Sequence, residues 1–230
     1  MAAMVLWSKA PKSFPGALHR SFRRPSGGIL CFAQGDVVNF CGDALAVSTS
    51  QALEGIERAD WWGFAGRASA DAALHMKMKG LAEECRKQRT QLDFAEVLVT
   101  RGPSQVQHLL HTAIPSHPAS RDPASMPANV GSPLRPSMVD IETAEYFLHK
   151  AFTGLLEAAA DLGAKSFCCP SIGCGCRAFP VETVARIGLG VFTSPPNAEI
   201  PYIEIRCTQR EVLETWIEKT SEFGLERAGF

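Results

Sequence analysis

The sequence has no apolar run approaching the roughly 20 residues of a membrane-spanning helix, so no segment reads as one. It has no surplus of either charge. Its 23 Lys and Arg face 24 Asp and Glu, a formal net charge of -1 at pH 7, so bulk electrostatics do not point to nucleic acid. No C-x-x-C pair occurs among the eight cysteines, although Cys168, Cys169, Cys174 and Cys176 cluster. That spacing fits no standard zinc motif, and adjacent cysteines on a strand point to opposite faces. Small buried hydrophobes account for them better than a metal. The chain also lacks a G-x-G-x-x-G after its first strand and a lysine after its glycine turn, which excludes the Rossmann and P-loop patterns. Finally, residues 1–35 contain no Asp or Glu, yet carry Lys9, Lys12, Arg20, Arg23 and Arg24. Ser8, Ser13, Ser21 and Ser26 lie among them. This start reads as a basic arm over 1–27 or as an organellar import segment, with Pro15, Gly16 and Pro25 opposing a long helix. No secretory signal is evident, so an intracellular protein with reduced thiols is expected, cytoplasmic or nuclear unless imported.

What is present is a chain that is 46% hydrophobic, enough to bury a sizeable core in one domain over 28–230. Strands are expected at Gly28–Ala33 and Ala44–Thr49. A helix capped by Ser69 then runs to about Lys87, with an apolar stripe of Leu74, Met78, Leu81 and Cys85. Further strands cover 95–100 and 107–114. Residues 115–137 are rich in Pro, Ser and Ala, have no periodicity, and read as a surface loop. A helix from Val139 to Leu162 ends at Gly163, and strands at 166–169 and 202–207 follow. Thr208 and Glu211 form a capping box for a final helix that buries Val212, Leu213, Trp216 and Ile217. Strands apolar on both faces, alternating with helices, imply a mixed or parallel sheet covered on both sides. Ligands of such sheets sit beyond the carboxyl ends of the strands.

The most informative stretch is SIGCGCRAFP at Ser171–Pro180. It joins a buried strand to an amphipathic helix opening at Pro180. Its Gly173 and Gly175 let the backbone approach an anion closely, and the helix start supplies unpaired N–H groups and the positive end of its dipole. A phosphate-bearing ligand is expected here.

Five pieces, in order from about Ile29 onward, together resemble the macro domain, the ADP-ribose-recognition module. Gly35-Asp36-Val37 resembles its opening "GD-I/V". Ala46 to Gln51 lies where the family has "VNAAN". Ala70 to His75 resembles "VDxAIH", Leu109 to Pro115 resembles "VIHTVGP", and Pro170 to Pro180 resembles "PAISTGxYGFP". The resemblance implies a three-layer α-β-α sandwich with a mixed central sheet. It also implies a partner that is ADP-ribose or an ADP-ribosylated protein, with no cofactor, no metal, no membrane and a monomeric state.

It implies roles residue by residue. Asp36 accepts the adenine amino group beside Val37. Asp71 holds a water for cleavage of a mono-ADP-ribose linkage or an ADP-ribose ester, with His75 one turn on. Ile172, Gly173, Cys174, Gly175, Cys176, Arg177 and Phe179 border the diphosphate. The departures bear on function. Ser48 and Gln51 stand for the two asparagines, and Arg67-Ala68-Ser69 stands for the glycine loop, so Arg67, Ser69 and Ala70 border the ligand without that loop's freedom. Arg177 stands for an aromatic beside the ribose, where it either pairs with phosphate or points to solvent. An extra segment at 57–66 carries Trp61, Trp62 and Phe64, either a wall over the ligand or an anchor to the core. Read without the resemblance, Asp71 is an ordinary helix-start carboxylate and His111 a core histidine. These departures keep a second expectation open: a degenerate macro domain that serves as a non-catalytic interaction module.

Overall fold

Every parallel strand of this chain ends on the same edge of one sheet, and that edge is where the candidate site lies. The computed structural model describes residues 17–53, 70–118, 139–175, 177–194 and 200–229. Within them the strands are β1 (His19–Arg23), β2 (Ile29–Gln34), β3 (Gly42–Thr49), β4 (Val97–Arg101), β5 (Val106–Ala113), β6 (Ser166–Cys169), β7 (Tyr202–Cys207) and β8 (Glu226–Arg227). Their order across the sheet is β4-β5-β3-β6-β7-β2-β1-β8. The run from β5 to β2 is parallel, β4 and β1 are antiparallel additions at the two margins, and β8 pairs antiparallel with β1.

The helices are α1 (Ala70–Lys77), α2 (Leu81–Gln88), α3 (Ile141–Asp161), α4 (Val181–Thr193) and α5 (Arg210–Lys219). They cover both faces, which is why most side chains of the inner strands are buried, the polar pair Glu204 and Arg206 of β7 included. On β3, Ala44 and Ala46 join the core under α3, α4 and α5, whereas Leu45 and Val47 join the core under α1 and α2. The result is the expected three-layer α-β-α sandwich with a mixed sheet. The larger core centres on Trp216, which stacks on Phe192 at 6.3 Å and meets Phe152 edge-on at 6.5 Å. Gly188 makes this fit possible, since a Cβ there would lie 2.3 Å from the Trp216 ring.

Five local expectations differ from the structure. Residues 19–23, read as part of the basic arm, form β1 in register with β2, with Leu18 and Phe22 buried. Arg24, counted among the arm's charges, is buried and donates to the carbonyls of Phe192 and Ile200. The single helix expected over 69–87 is two helices broken at Gly80, whose φ of 86° is left-handed, a conformation that glycine adopts without Cβ strain. Its apolar stripe survives the break: Leu74, Leu81 and Cys85 enter one core, with Met78 against it. The capping box at Thr208 does not form. The N-cap of α5 is Gln209 with no side-chain bond, and the Thr208 carbonyl accepts from Gln34 instead. Pro180 is likewise the N-cap of α4, with ψ of 136°, rather than its first helical residue.

Candidate functional site

The loops after β2, β3, β5 and β6 meet at the carboxyl edge of the sheet. After β2, Asp36 caps a short 3-10 turn (Val37–Asn39) by accepting from the Val38 N–H at 3.1 Å, and Val37 is buried beneath it. Lys77 on α1 donates to the Val38 carbonyl at 2.8 Å and ties this turn to the helix that carries Asp71.

Asp71 lies in the first turn of α1 and is only 4% exposed. Thr49, the last residue of β3, donates its hydroxyl to Asp71 Oδ2 at 3.3 Å. His75 Nε2 lies 3.4 Å from Oδ1, yet that oxygen has no aligned hydrogen-bond partner among the described residues. Among those residues Ser50 Oγ, Thr112 Oγ1 and His111 Nδ1 are also buried without partners, near the carboxyl ends of β3 and β5. An unsatisfied buried polar atom costs about 1–3 kcal/mol, so a group of four here marks this edge.

After β6 the glycine turn takes the expected form. Gly173 has φ of 101°, and a Cβ on it would meet the Phe179 ring at 3.2 Å. Ile172 and Phe179 are buried under the turn, and the Phe179 ring lies 5.1 Å from that of His117. Ser171 Oγ sits between Cys174 Sγ and Trp216 Nε1, each at 2.9 Å, so the turn is anchored to the main core. Burial pushes the Cys174 thiol up to about 11 and keeps it protonated. Within the turn, the N–H groups of Cys174, Ala178 and Phe179 bond to the carbonyls of Ser171, Gly175 and Gly173. Among the described residues, those of Gly173, Gly175 and Arg177 have no acceptor.

Arg177 is half-buried, and its guanidinium crosses to β3, where Nη2 donates to the Thr49 carbonyl at 3.4 Å. Its own carbonyl accepts from the His117 N–H at 2.8 Å. The next residue, Ala178, has φ of 54°, left-handed without being glycine. Ala178→Gly should therefore raise unfolding stability by about 1 kcal/mol, read as a shifted denaturant midpoint at unchanged slope. An unchanged or lower midpoint would show that Ala178 is unstrained.

The other expected site residues divide. Ala70 opens α1, half-buried, and Ser48 lies on the opposite face of β3 from Thr49. Gln51 turns away: its side chain donates to the Leu92 carbonyl at 3.2 Å. Arg67, Ser69, Cys176 and the segment with Trp61, Trp62 and Phe64 lie outside the described residues, as does most of the 115–137 loop. Thr49 and His117 were not singled out from sequence. Thr49 carried a signal only in being the last residue of a buried strand, and His117 carried none. No group of three or more His, Cys, Asp or Glu side chains among the described residues could hold a metal ion. No helix among them is long and apolar enough to cross a membrane.

Beneath the site, His111 Nε2 lies 2.8 Å from Thr100 Oγ1. Burial lowers its pKa to about 4, against the opposing charge of Asp71. The unfolded chain titrates near the ordinary value of 6.5, so between those values it binds a proton that the folded state does not. This contribution is complete above pH 6.5 and is lost as pH falls toward 4, up to about 3 kcal/mol. Thermal melts across that range should show a smaller acid loss in His111→Gln than in the natural protein. Equal losses would assign the acid sensitivity elsewhere.

Comparison with known proteins agrees with this geometry. No curated protein matches the sequence. Among solved structures, the chain is similar to the Oceanobacillus iheyensis macrodomain with ADP, at 16% identity and a TM-score of 0.70, covering 90% of this chain and 96% of that one. It is also similar to the Trypanosoma brucei macrodomain in complex with ADP-ribose, at 16% identity and a TM-score of 0.60, covering 83% of this chain and 68% of that one. At such identities the likeness establishes the fold. The family model described as Macro domain matches residues 66–188, more than half of the 230. That span contains Asp71, the strand end at Ala113 and the whole glycine turn, and with it the chain belongs to the macro domain family.

Proposed function

We propose that the crevice at the carboxyl edge binds the adenosine diphosphate portion of an ADP-ribose-type ligand. The observation that carries this reading is the glycine turn, whose N–H groups at Gly173, Gly175 and Arg177 have no acceptor among the described residues. Unpaired amides on the turn that leads into α4 favour a diphosphate. The bound ADP and ADP-ribose of the two macrodomains above support the same class of ligand. Asp36 stands at the mouth of β2, with a carboxylate able to accept from an adenine amino group.

A second reading adds catalysis. It is favoured by Asp71, a buried carboxylate whose Oδ1 has no hydrogen-bond partner among the described residues while Thr49 and His75 hold it in place. Such an oxygen can orient a water for hydrolysis of a mono-ADP-ribose linkage or an ADP-ribose ester.

Calorimetric titration with ADP-ribose tests the binding reading. Micromolar affinity is expected, weakened about tenfold by Asp36→Ala through loss of one hydrogen bond to a charged group. Asp36→Asn retains an acceptor for the Val38 N–H and separates loss of ligand contact from loss of the cap. No heat and no thermal shift at millimolar ligand would remove the reading. Product release that Asp71→Ala abolishes, with binding intact, would establish the second.

A further inference from the structure

We infer that Arg177 makes the crevice selective for a terminal phosphate, so that a nucleoside diphosphate binds more tightly than the same diphosphate carrying a second sugar. This rests on the reading of the crevice as an adenosine-diphosphate site and says where the ligand should end.

Arg177 brings two kinds of donor to one place. Its main-chain N–H is one of the three in the turn without an acceptor among the described residues, and its guanidinium reaches from the glycine turn to the last carbonyl of β3. The main chain is fixed on its carboxyl side, by the His117 N–H on its carbonyl and by the left-handed Ala178 that follows. The side chain is half-buried, and its Nη2 is tethered at 3.4 Å. Thr49 is the pivot. Its carbonyl accepts from Arg177 while its hydroxyl donates to Asp71, so the guanidinium stands between the turn and the start of α1.

A ligand with its diphosphate on the turn that continues toward Asp71 meets this guanidinium. A sugar brings no charge to pair with it and must displace the Thr49 bond. A terminal phosphate ends there instead. It offers up to two negative charges and three acceptor oxygens, against one charge on an esterified phosphate. A guanidinium has five N–H donors, and its fork matches such a group bidentately. The carboxylate of Asp71 works against an incoming dianion, and the guanidinium offsets it from the other side of Thr49. The chain places a cation at this position, and the structure points it across the crevice to β3.

Titration of the full chain with ADP and with ADP-ribose, side by side, tests the inference. The natural protein should bind ADP at least about tenfold more tightly than ADP-ribose. In Arg177→Ala the ratio should fall to about one, chiefly through weaker ADP binding. Arg177→Gln keeps a donor for the Thr49 carbonyl without the charge. It should fold as well as the natural protein and show the same loss of preference. ADP-ribose binding as tightly as ADP in the natural protein would overturn the inference and leave the site reading intact. So would a preference for ADP that persists in both variants. Failure of both ligands to bind the natural protein would remove the site reading and the inference together.

Discussion

Trp216→Ala should destabilise the protein by about 3–5 kcal/mol, the range for truncating a fully buried large aromatic. Trp216 is 0% exposed and touches Phe32, Phe152 and Phe192, so little in its surroundings can collapse into the space. Domains are stable by only about 5–15 kcal/mol, so this one change removes a large share. For a chain of this length the melting temperature should fall by about 10 °C. The effect reaches the site because the indole N–H donates to Ser171 at the head of the glycine turn. Trp216→Phe should keep most of the stability and loosen the turn. It should weaken ADP-ribose binding by more than its small loss of stability explains. If Trp216→Ala costs under 1 kcal/mol, α5 does not anchor the fold as described.

Gly173→Val should reduce ligand binding by at least about a hundredfold while leaving the rest of the sheet folded. Two effects coincide. Its φ of 101° is one that side chains rarely adopt, and a Cβ would press on the Phe179 ring at 3.2 Å, with Ile114 in ordinary contact at 3.5 Å. Relief of that crowding has to move the turn, and with it the amides of Gly173 and Gly175. Gly175 has open space around its Cβ direction, so Gly175→Ala should cost far less. Equal losses from the two variants would show that conformation at Gly173 is not what shapes the turn.

Legibility in the sequence followed burial. β6 is largely apolar on both faces, β7 alternates Ile203 and Ile205 with Tyr202, Glu204 and Arg206, and their limits at 166–169 and 202–207 were readable to the residue. The glycine turn was readable because glycines between a buried strand and an amphipathic helix have few other uses. β1 was hidden because Phe22 is its one buried side chain, with Leu18 just before it, among His19, Arg20 and Arg23, which read as a charged arm. Arg24 was misplaced for the same reason, since a buried arginine satisfied by backbone carbonyls leaves no trace in composition. Within the site, Asp36 and Asp71 were marked by motif. Thr49 and the destinations of Gln51 and Arg177 depend on contacts between residues 41 and 128 positions apart, or 22 for Thr49 and Asp71. Such contacts exist only once β3 lies beside β5 and β6.

The central claim is that the amides of Gly173, Gly175 and Arg177 receive the diphosphate. Following the backbone amide resonances of isotope-labelled protein during titration with ADP tests it most directly. The account predicts that these three amides move most, downfield, and saturate together at the affinity measured by calorimetry. Saturable ADP binding that leaves all three unmoved, with the largest shifts elsewhere, would contradict it.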